Sequence, residues 1–498
     1  MYSLTAGQIM ASKEFHHKIV MDPVHGTIGL SKLESEIAGT RAFQRLHNVR
    51  QLGLAHLVFP GASYSRYSHS VGACYNAGKI IKAIRRNSGS KKIDNKTERK
   101  LRLAALLHDV GHYPFSHATE HLIKEFYQNR NAGSMIGPSG EQGVDTSLIS
   151  PAETPIRPME STNKPYFDHE KVGEILIEND EEISKVLDDN KFDKNEFLAL
   201  FGKKAPNEFI GIISSDLDCD RLDYLRRTAH NSGAPYGSVD INYIISQAAI
   251  EKKTYCFTEK ARKAADHLLV SRYYDYMQVP FNKTVVALEW SLISCIEALL
   301  QEDLDLSASK VKEMIASGEW SNFDDQHLFE QFRKKNKEIK DKLDEDSLVL
   351  KDHVGAILNR KAPKLVCGWD SIDSKSESMH AKKSDNVKKA CEEVIKEMGL
   401  NKNRVHIWST SLPLTKFGGK ADYSQPEDDY TLSNAVKFIK ERGDPGIITN
   451  YDDTLMSKLG DIQYSGVRFY YLPKNGVDDE KIKNDIKSKM KKKMVHLS

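Results

Sequence analysis

Along most of this chain the apolar positions recur at helical spacing, and alternation is confined to a few short stretches. In TRAFQRLHNVRQLG, Phe43, Leu46, Val49 and Leu52 predict a helix that Gly53 can end. VFPGASYSRYSH predicts a loop feeding a helix that carries His69, Val71, Cys74 and Ala77. Residues 99–107, RKLRLAALL, predict an apolar helix running straight into HDVGH. DHEKVGEILI predicts a further helix, and NEFIGIISSDLDCDRLDYLRRTAH one more, with apolar residues in front and acids at its centre. Residues 260–300 carry long helical patterns with few breakers.

Other stretches break the helical pattern. MDPVHGTIGL is punctuated by Pro and Gly and predicts a turn-rich segment. Residues 128–166 are rich in Gly, Ser, Pro, Asn and Thr, the mark of a long loop or insertion. Beyond residue 305, lysine-rich helices run to about residue 361. RVHIWST and GVRFYYLP then read as strands, and a last helix starts near Asp478. No solenoid repeat is visible. The pattern predicts a mainly α chain. A helical core occupies 1–305, with 128–166 as its insertion, and a smaller helical and α+β lobe occupies 306–498.

Composition narrows the class. A chain of 498 residues exceeds one ordinary core. With 39% hydrophobic and 29% charged residues it reads as globular rather than disordered or fibrous. No apolar run approaches the ~20 residues of a membrane helix, and the N-terminus lacks a signal-peptide pattern. A cytoplasmic protein is expected, with no membrane partner. Six cysteines are scattered singly without a CxxC pair, which argues against a zinc knuckle or a disulfide framework. The net charge of +2 does not indicate nucleic acid. The basic run at residues 481–493 reads as a solvated terminal helix or as a contact for polyanions or another subunit.

The chemistry gathers in His69 of RYSHSVG, His108 and Asp109 of LLHDVGH, and Asp220 of DCDRLDY. A lone His-Asp pair is a weak signal, but HDVGHYPFSH packs three histidines and an aspartate into ten residues after an apolar helix. Burying such groups without partners is costly. Two imidazoles with carboxylates make a mixed N/O site for one divalent cation: Mn, Fe, Mg or Zn. Adjacent side chains point about 100° apart on a regular helix. His108 and Asp109 therefore need a helix end or a distortion to share one ion, and Gly111 is the residue expected to supply it.

These motifs, with DPVHGTI, FQRL, QLG and VFPGASYSRYSHSVG upstream and DCDRLDYLRR downstream, resemble the HD-domain deoxynucleoside triphosphate triphosphohydrolases. That group includes bacterial dGTPases and the catalytic core of the vertebrate SAM- and HD-domain enzyme. The resemblance covers about residues 18–300, with the motifs in the family's order. It implies hydrolysis of a dNTP to deoxynucleoside and triphosphate at one metal held by His69, His108, Asp109 and Asp220. It further implies that His112, His117 and His169 are catalytic-site histidines. By the same resemblance Gln51 reads the sugar 3′-OH, Tyr224 stacks beneath the sugar, and Arg66, Arg221 and Arg272 contact phosphates. Guanidinium suits a triphosphate because it binds bidentately.

The resemblance also implies a homo-oligomer, tetramer or hexamer, with a nucleotide effector between subunits and a role in dNTP pool control or phage defence. Lys18, Gln44 and Lys283 fall on regulatory positions. Departures matter here. Thr228 stands where relatives carry an aspartate that holds the 3′-OH. Gly39 and His47 stand where the vertebrate enzyme reads guanine, so GTP is not expected to be the activator. Asn282 replaces the histidine of a HisLysThr run. Two other readings compete: an HD phosphodiesterase or nuclease acting on cyclic nucleotides or single strands, and a nucleotide sensor with a dormant site.

Overall fold

The structure, a computed structural model, describes residues 17–89, 93–131, 164–201, 208–339, 344–374, 378–413, 435–440, 445–460, 462–476 and 479–495. It is mainly α-helical, with small sheets, as the periodicity predicts.

The described residues begin with a hairpin. Strands β1 (Lys18–Asp22) and β2 (Gly26–Leu30) pair antiparallel, with Asp22 opposite Gly26. Asp22 Oδ1 accepts the N–H groups of Val24 at 2.9 Å and His25 at 2.8 Å, which closes the turn. The helix predicted from Phe43 to Leu52 forms only in its first half. It runs as an α-helix over Arg41–Gln44, tightens to a 3-10 turn over Arg45–Asn48, and opens at Val49. The backbone there pairs elsewhere: Val49 O accepts from Arg66 N–H at 2.9 Å and Tyr64 O from Gln51 N–H at 3.2 Å. A loop before the next helix thus outcompetes propagation.

Helices α1 (Arg66–Ser88), α2 (Asn95–Leu107), α3 (His117–Asn131) and α4 (His169–Asn179) follow. Ser65, Asp94 and Asp168 cap α1, α2 and α4 at their N-termini. Of the expected 128–166 loop, Gln128–Asn131 belong to α3 instead, and residues 132–163 lie outside the described part. NEFIGIISSDLDCDRLDYLRRTAH, expected as one helix, is two. A short helix, Ile210–Ile213, ends before α5 (Cys219–Ser232). Asp218 imposes the break, because its carboxylate accepts from Ser215 N–H at 2.9 Å and Arg221 N–H at 2.7 Å. Asp220 therefore stands in the first turn of α5, not mid-helix.

A second hairpin, β3 (Ala248–Glu251) and β4 (Thr254–Phe257), precedes α6 (Arg262–Gln278) and α7 (Lys283–Glu302). Helix α7 is long and apolar enough to cross a membrane, which corrects the reading that no run approaches that length. Of its apolar window 67% is buried inside the protein, as in a core helix. Helices α8 (Ala308–Ala316), α9 (Asp325–Glu338) and α10 (Glu345–Leu358) lead to β5 (Lys364–Ser374), α11 (Ser378–Met398) and β6 (Val405–Pro413). Short strands β7 (Lys437–Phe438) and β8 (Gly446–Ile447) join the second hairpin, with Phe438 opposite Phe257. Strand β9 (Ile462–Tyr471) lies between β5 and β6, antiparallel to both, and α12 (Glu480–Val495) closes the chain.

Alternation decides what each face of that three-stranded sheet meets. Trp408, Leu412, Tyr464 and Tyr470 pack into the main core, while Val405, Val467, Phe469 and Tyr471 pack with Val394 and Ile486 of α11 and α12. The main core draws Leu292 and Ile296 from one side of residue 305 and Val354, Ile357 and Trp408 from the other. Each such side chain contributes about 1.5–3 kcal/mol by leaving water. The basic end of α12 is partly neutralised, with Lys489 and Lys493 pairing with Glu397 and Glu393 of α11. All six cysteines are unpaired.

Candidate metal centre

Three elements deliver the candidate ligands. His69 lies in the first turn of α1, and Asp220 in the first turn of α5. Helix α2 stops at Leu107, so His108 and Asp109 sit at its end and in the following turn, free of the 100° constraint. Gly111, expected to supply that break, serves a different purpose. A Cβ there would lie 2.1 Å from His169 O and 2.3 Å from Gly173 N, so its absence lets α4 close on the turn.

His69, His108 and Asp220 bring one donor atom each within 4.8 Å of one another, and Asp109 adjoins them with a different oxygen toward each histidine. Asp220 Oδ1 lies 2.9 Å from His69 Nε2 and 3.9 Å from His108 Nε2. Asp109 Oδ1 lies 3.4 Å from His108 Nε2, and Asp109 Oδ2 3.7 Å from His69 Nε2. Donors about 2.1 Å from one ion stand roughly 3.0–3.4 Å apart in octahedral or tetrahedral arrangement. Both Nε2 atoms are buried without a well-aligned hydrogen bond, His69 Nε2 facing the Asp220 carboxylate, an arrangement a cation between them would satisfy. Each ring is anchored through its other nitrogen: His108 Nδ1 to Ala105 O at 2.8 Å, and His69 Nδ1 to Asp223 Oδ2 at 2.8 Å. Such outer bonds fix which nitrogen faces a metal. Burial opposes a charge on His69, but Asp220 and Asp223 outweigh it and push its pKa up to about 10. Burial likewise opposes ionisation of Asp109, yet Arg66, His108 and His112 hold it well below the carboxylate range. The donor set fits a divalent cation.

A second cluster adjoins the first through Asp109, whose Oδ1 stands 3.2 Å from His112 Nε2. His112 stacks on His169 with ring centroids 3.9 Å apart and planes 11° apart. His117 meets His112 edge-on at 4.9 Å. Glu120, three residues after His117 on α3, accepts from His169 N–H at 3.2 Å and His169 Nδ1 at 2.8 Å. Burial opposes protonation of His169, but Glu120 prevails and raises its pKa to about 9. Burial, then Arg66 and His169, hold His112 well below the usual histidine range. One neutral and one charged imidazole therefore lie face to face. Donor atoms of His112, His117, Glu120 and His169 also lie within 4.8 Å of one another, a second place a cation could sit.

Among the candidate substrate contacts, Arg66 is buried against the metal cluster, its Nη1 on Asp109 Oδ2 and its Nε donating to Ser116 Oγ at 2.8 Å. Arg221 and Arg272 converge on Asp216 Oδ1, at 3.8 Å and 3.5 Å. Gln51 Oε1 is buried without a hydrogen-bond partner. Tyr224 is half-buried against the core, within electrostatic reach of Arg272. Thr228 is fully buried, its hydroxyl 2.7 Å from Tyr64 Oη. Lys18 and Lys283 are exposed, Gln44 Nε2 donates to Ala38 O at 2.6 Å, and His47 stacks on Tyr67 at 3.7 Å; none of these touches the histidine–acid clusters.

Residue-type reasoning passed over Glu120 and Asp223. Each carried a signal, since Glu120 falls one helical turn after His117 and Asp223 one turn after Asp220.

The profile of the HD domain matches residues 66–138, which include His69, His108 and Asp109. That segment of the chain is similar to the HD domain. The chain is 32% identical over 297 residues to uncharacterized protein MG461 of Mycoplasma genitalium, covering 57% of this chain and 61% of that one. It is 43% identical over 100 residues to the deoxynucleoside triphosphate triphosphohydrolase SAMHD1 of Xenopus laevis, 20% of this chain and 16% of that one. The matched segments thus span less than two thirds of these relatives. A solved phosphohydrolase from Bacteroides thetaiotaomicron superposes with a TM-score of 0.63 at 22% identity, covering 92% of this chain and 100% of that one. That likeness establishes a shared fold.

Proposed function

We propose that this HD-domain protein is a metal-dependent phosphohydrolase that cleaves deoxynucleoside triphosphates to deoxynucleoside and triphosphate. What supports the reading is that Asp109, beside the His69–His108–Asp220 group, also meets Arg66 and His112, and that His112 stacks on His169, which Glu120 holds. His69, His108, Asp109 and Asp220 would hold the cation. When bound, it supplies Lewis acidity and an acidified water. Arg66 stabilises charge on the phosphate oxygens nearest the metal, and Arg221 and Arg272 take the distal phosphates. His169 carries a proton at neutral pH that it can give to the departing sugar oxygen, and Glu120 holds it charged until then. His112 stays neutral between His169 and Asp109 and orders the reacting phosphoryl group. The relatedness to SAMHD1 over 100 residues supports a dNTP as the substrate.

In this reading Gln51 and Tyr224 select the deoxyribose, Thr228, whose hydroxyl pairs with Tyr64, brings no charge to it, and the chain works as a cytoplasmic homo-oligomer under nucleotide control. Gly39 and His47 remove the guanine-reading pair, so GTP alone does not activate. The test is incubation with each dNTP and Mn²⁺, with products separated by chromatography. Deoxynucleoside and triphosphate support the reading; monophosphate and pyrophosphate contradict it.

A two-metal phosphodiesterase is the second reading, favoured by the His112–His117–Glu120–His169 group as a further ligand set. Two metals per chain, with hydrolysis of cyclic nucleotides or single strands but not of dNTPs, would select it.

A further inference from the structure

Asp223 lies where three distant parts of the chain meet. Its Oδ2 accepts from His69 Nδ1 at 2.8 Å and from Arg227 Nε at 2.8 Å. Its Oδ1 accepts from His25 Nε2 at 2.5 Å and from Arg227 Nη2 at 2.9 Å. The side chain is fully buried, and that of His25 is 2% exposed. Arg227 Nη1 continues to Asp22 Oδ2 at 2.7 Å, and Asp22 Oδ1 holds the turn that presents His25. The fit is tight: a Cβ on Gly72 of α1 would fall 2.0 Å from Asp223 Oδ1.

An imidazole offers either nitrogen to a metal, and the bond made by the other nitrogen decides which. Both oxygens of Asp223 are fully engaged, so the carboxylate cannot turn without giving up a bond in the buried interior. The β1–β2 hairpin supplies one of those bonds through His25. The DPVHG segment thus reaches the ligand cluster through Asp223.

We propose that Asp223 and His25 are positioning residues of the metal centre. Asp223 fixes His69 with Nε2 directed at the cation, and His25, delivered by the hairpin, keeps Asp223 in that orientation. This rests on the metal-centre reading of His69, His108, Asp109 and Asp220.

The variants must separate orientation from folding. Asp223→Ala would leave Arg227 with one acid in a buried site and endanger the fold. Asp223→Asn keeps the shape but leaves one acceptor where two are used. His25→Ala removes a donor and leaves the Asp223–Arg227 pair intact. His25→Gln offers an amide donor in place of Nε2. The full-length chain, stripped with chelator, is titrated with Mn²⁺ by paramagnetic resonance of the free ion and with Co²⁺ by its visible absorption. Titrations are run below the unfolding midpoint of every variant. Asp223→Asn and His25→Ala should bind Mn²⁺ about 10–100-fold more weakly and alter the Co²⁺ spectrum, with His25→Gln recovering most of the affinity. Lower midpoints with wild-type Mn²⁺ affinity and Co²⁺ spectrum would mean a merely structural role and overturn the proposal. A wild-type chain that binds neither ion overturns the metal-centre reading and this inference with it.

Discussion

Gly111→Ala tests the packing that assembles the two clusters. The added Cβ would stand 2.1 Å from His169 O and 2.3 Å from Gly173 N, and contacts below 3.0 Å do not occur in real structures. Helix α4 must therefore retreat by about 0.9 Å to reach that limit. Neither obstructing atom belongs to a flexible side chain, so the whole helix end moves. Overpacking of this kind costs about 1–3 kcal/mol of stability. His169 rides on the same helix end, so its stacking on His112 at 3.9 Å opens with it. A displacement near 1 Å in catalytic machinery costs on the order of 100-fold in rate. The assay pairs thermal unfolding with dNTP turnover in Mn²⁺, far below the midpoint. The expected outcome is a midpoint lowered by a few degrees and turnover reduced about 100-fold. Wild-type turnover with an unchanged midpoint would refute both the close approach and its link to catalysis.

Other expectations follow from the same geometry. The pKa of His169 is raised to about 9, so its proton is present below that value and lost above it; turnover should fall as pH rises through 9. In Glu120→Gln the charge that sustains this shift is gone, and the alkaline limb of the profile should move to lower pH; an unmoved limb would assign it to another group. Arg66→Lys keeps the charge but loses the two-point grip on Asp109 and Ser116, and kcat should drop about 100-fold in steady-state assays. Chelation should abolish turnover and lower the unfolding midpoint, and added Mn²⁺ should restore both as binding stabilises the folded state.

Much of the site was legible because its residues are crowded and chemically costly. HDVGHYPFSH after an apolar helix left little alternative for His108 and Asp109. What escaped was carried by tertiary contact. Phe115 and Ser116 adopt φ of 56° and 59°, conformations rarely taken by such residues, and Phe115 N–H donates to Asp325 Oδ1, 210 residues away. The β3–β4 hairpin turns on Lys252 and Lys253, with φ of 47° and 60°, where no Asn-Gly signal exists. Strand β5, KLVCGWDSIDS, carries polar residues on both faces, Asp370 on one and Ser371 and Asp373 on the other, so no alternation marks it, and it pairs along β9. The break before α5 was missed because Asp218 reads as one acid among several until its two backbone partners are seen.

The central claim is that His69, His108, Asp109 and Asp220 hold one cation. Anomalous difference density from crystals soaked in Mn²⁺ tests it most directly. The account predicts a peak within about 2.3 Å of a donor atom from each of the four side chains. A peak held only by His112, His117, Glu120 and His169, or no peak between His69 and Asp220, would contradict it.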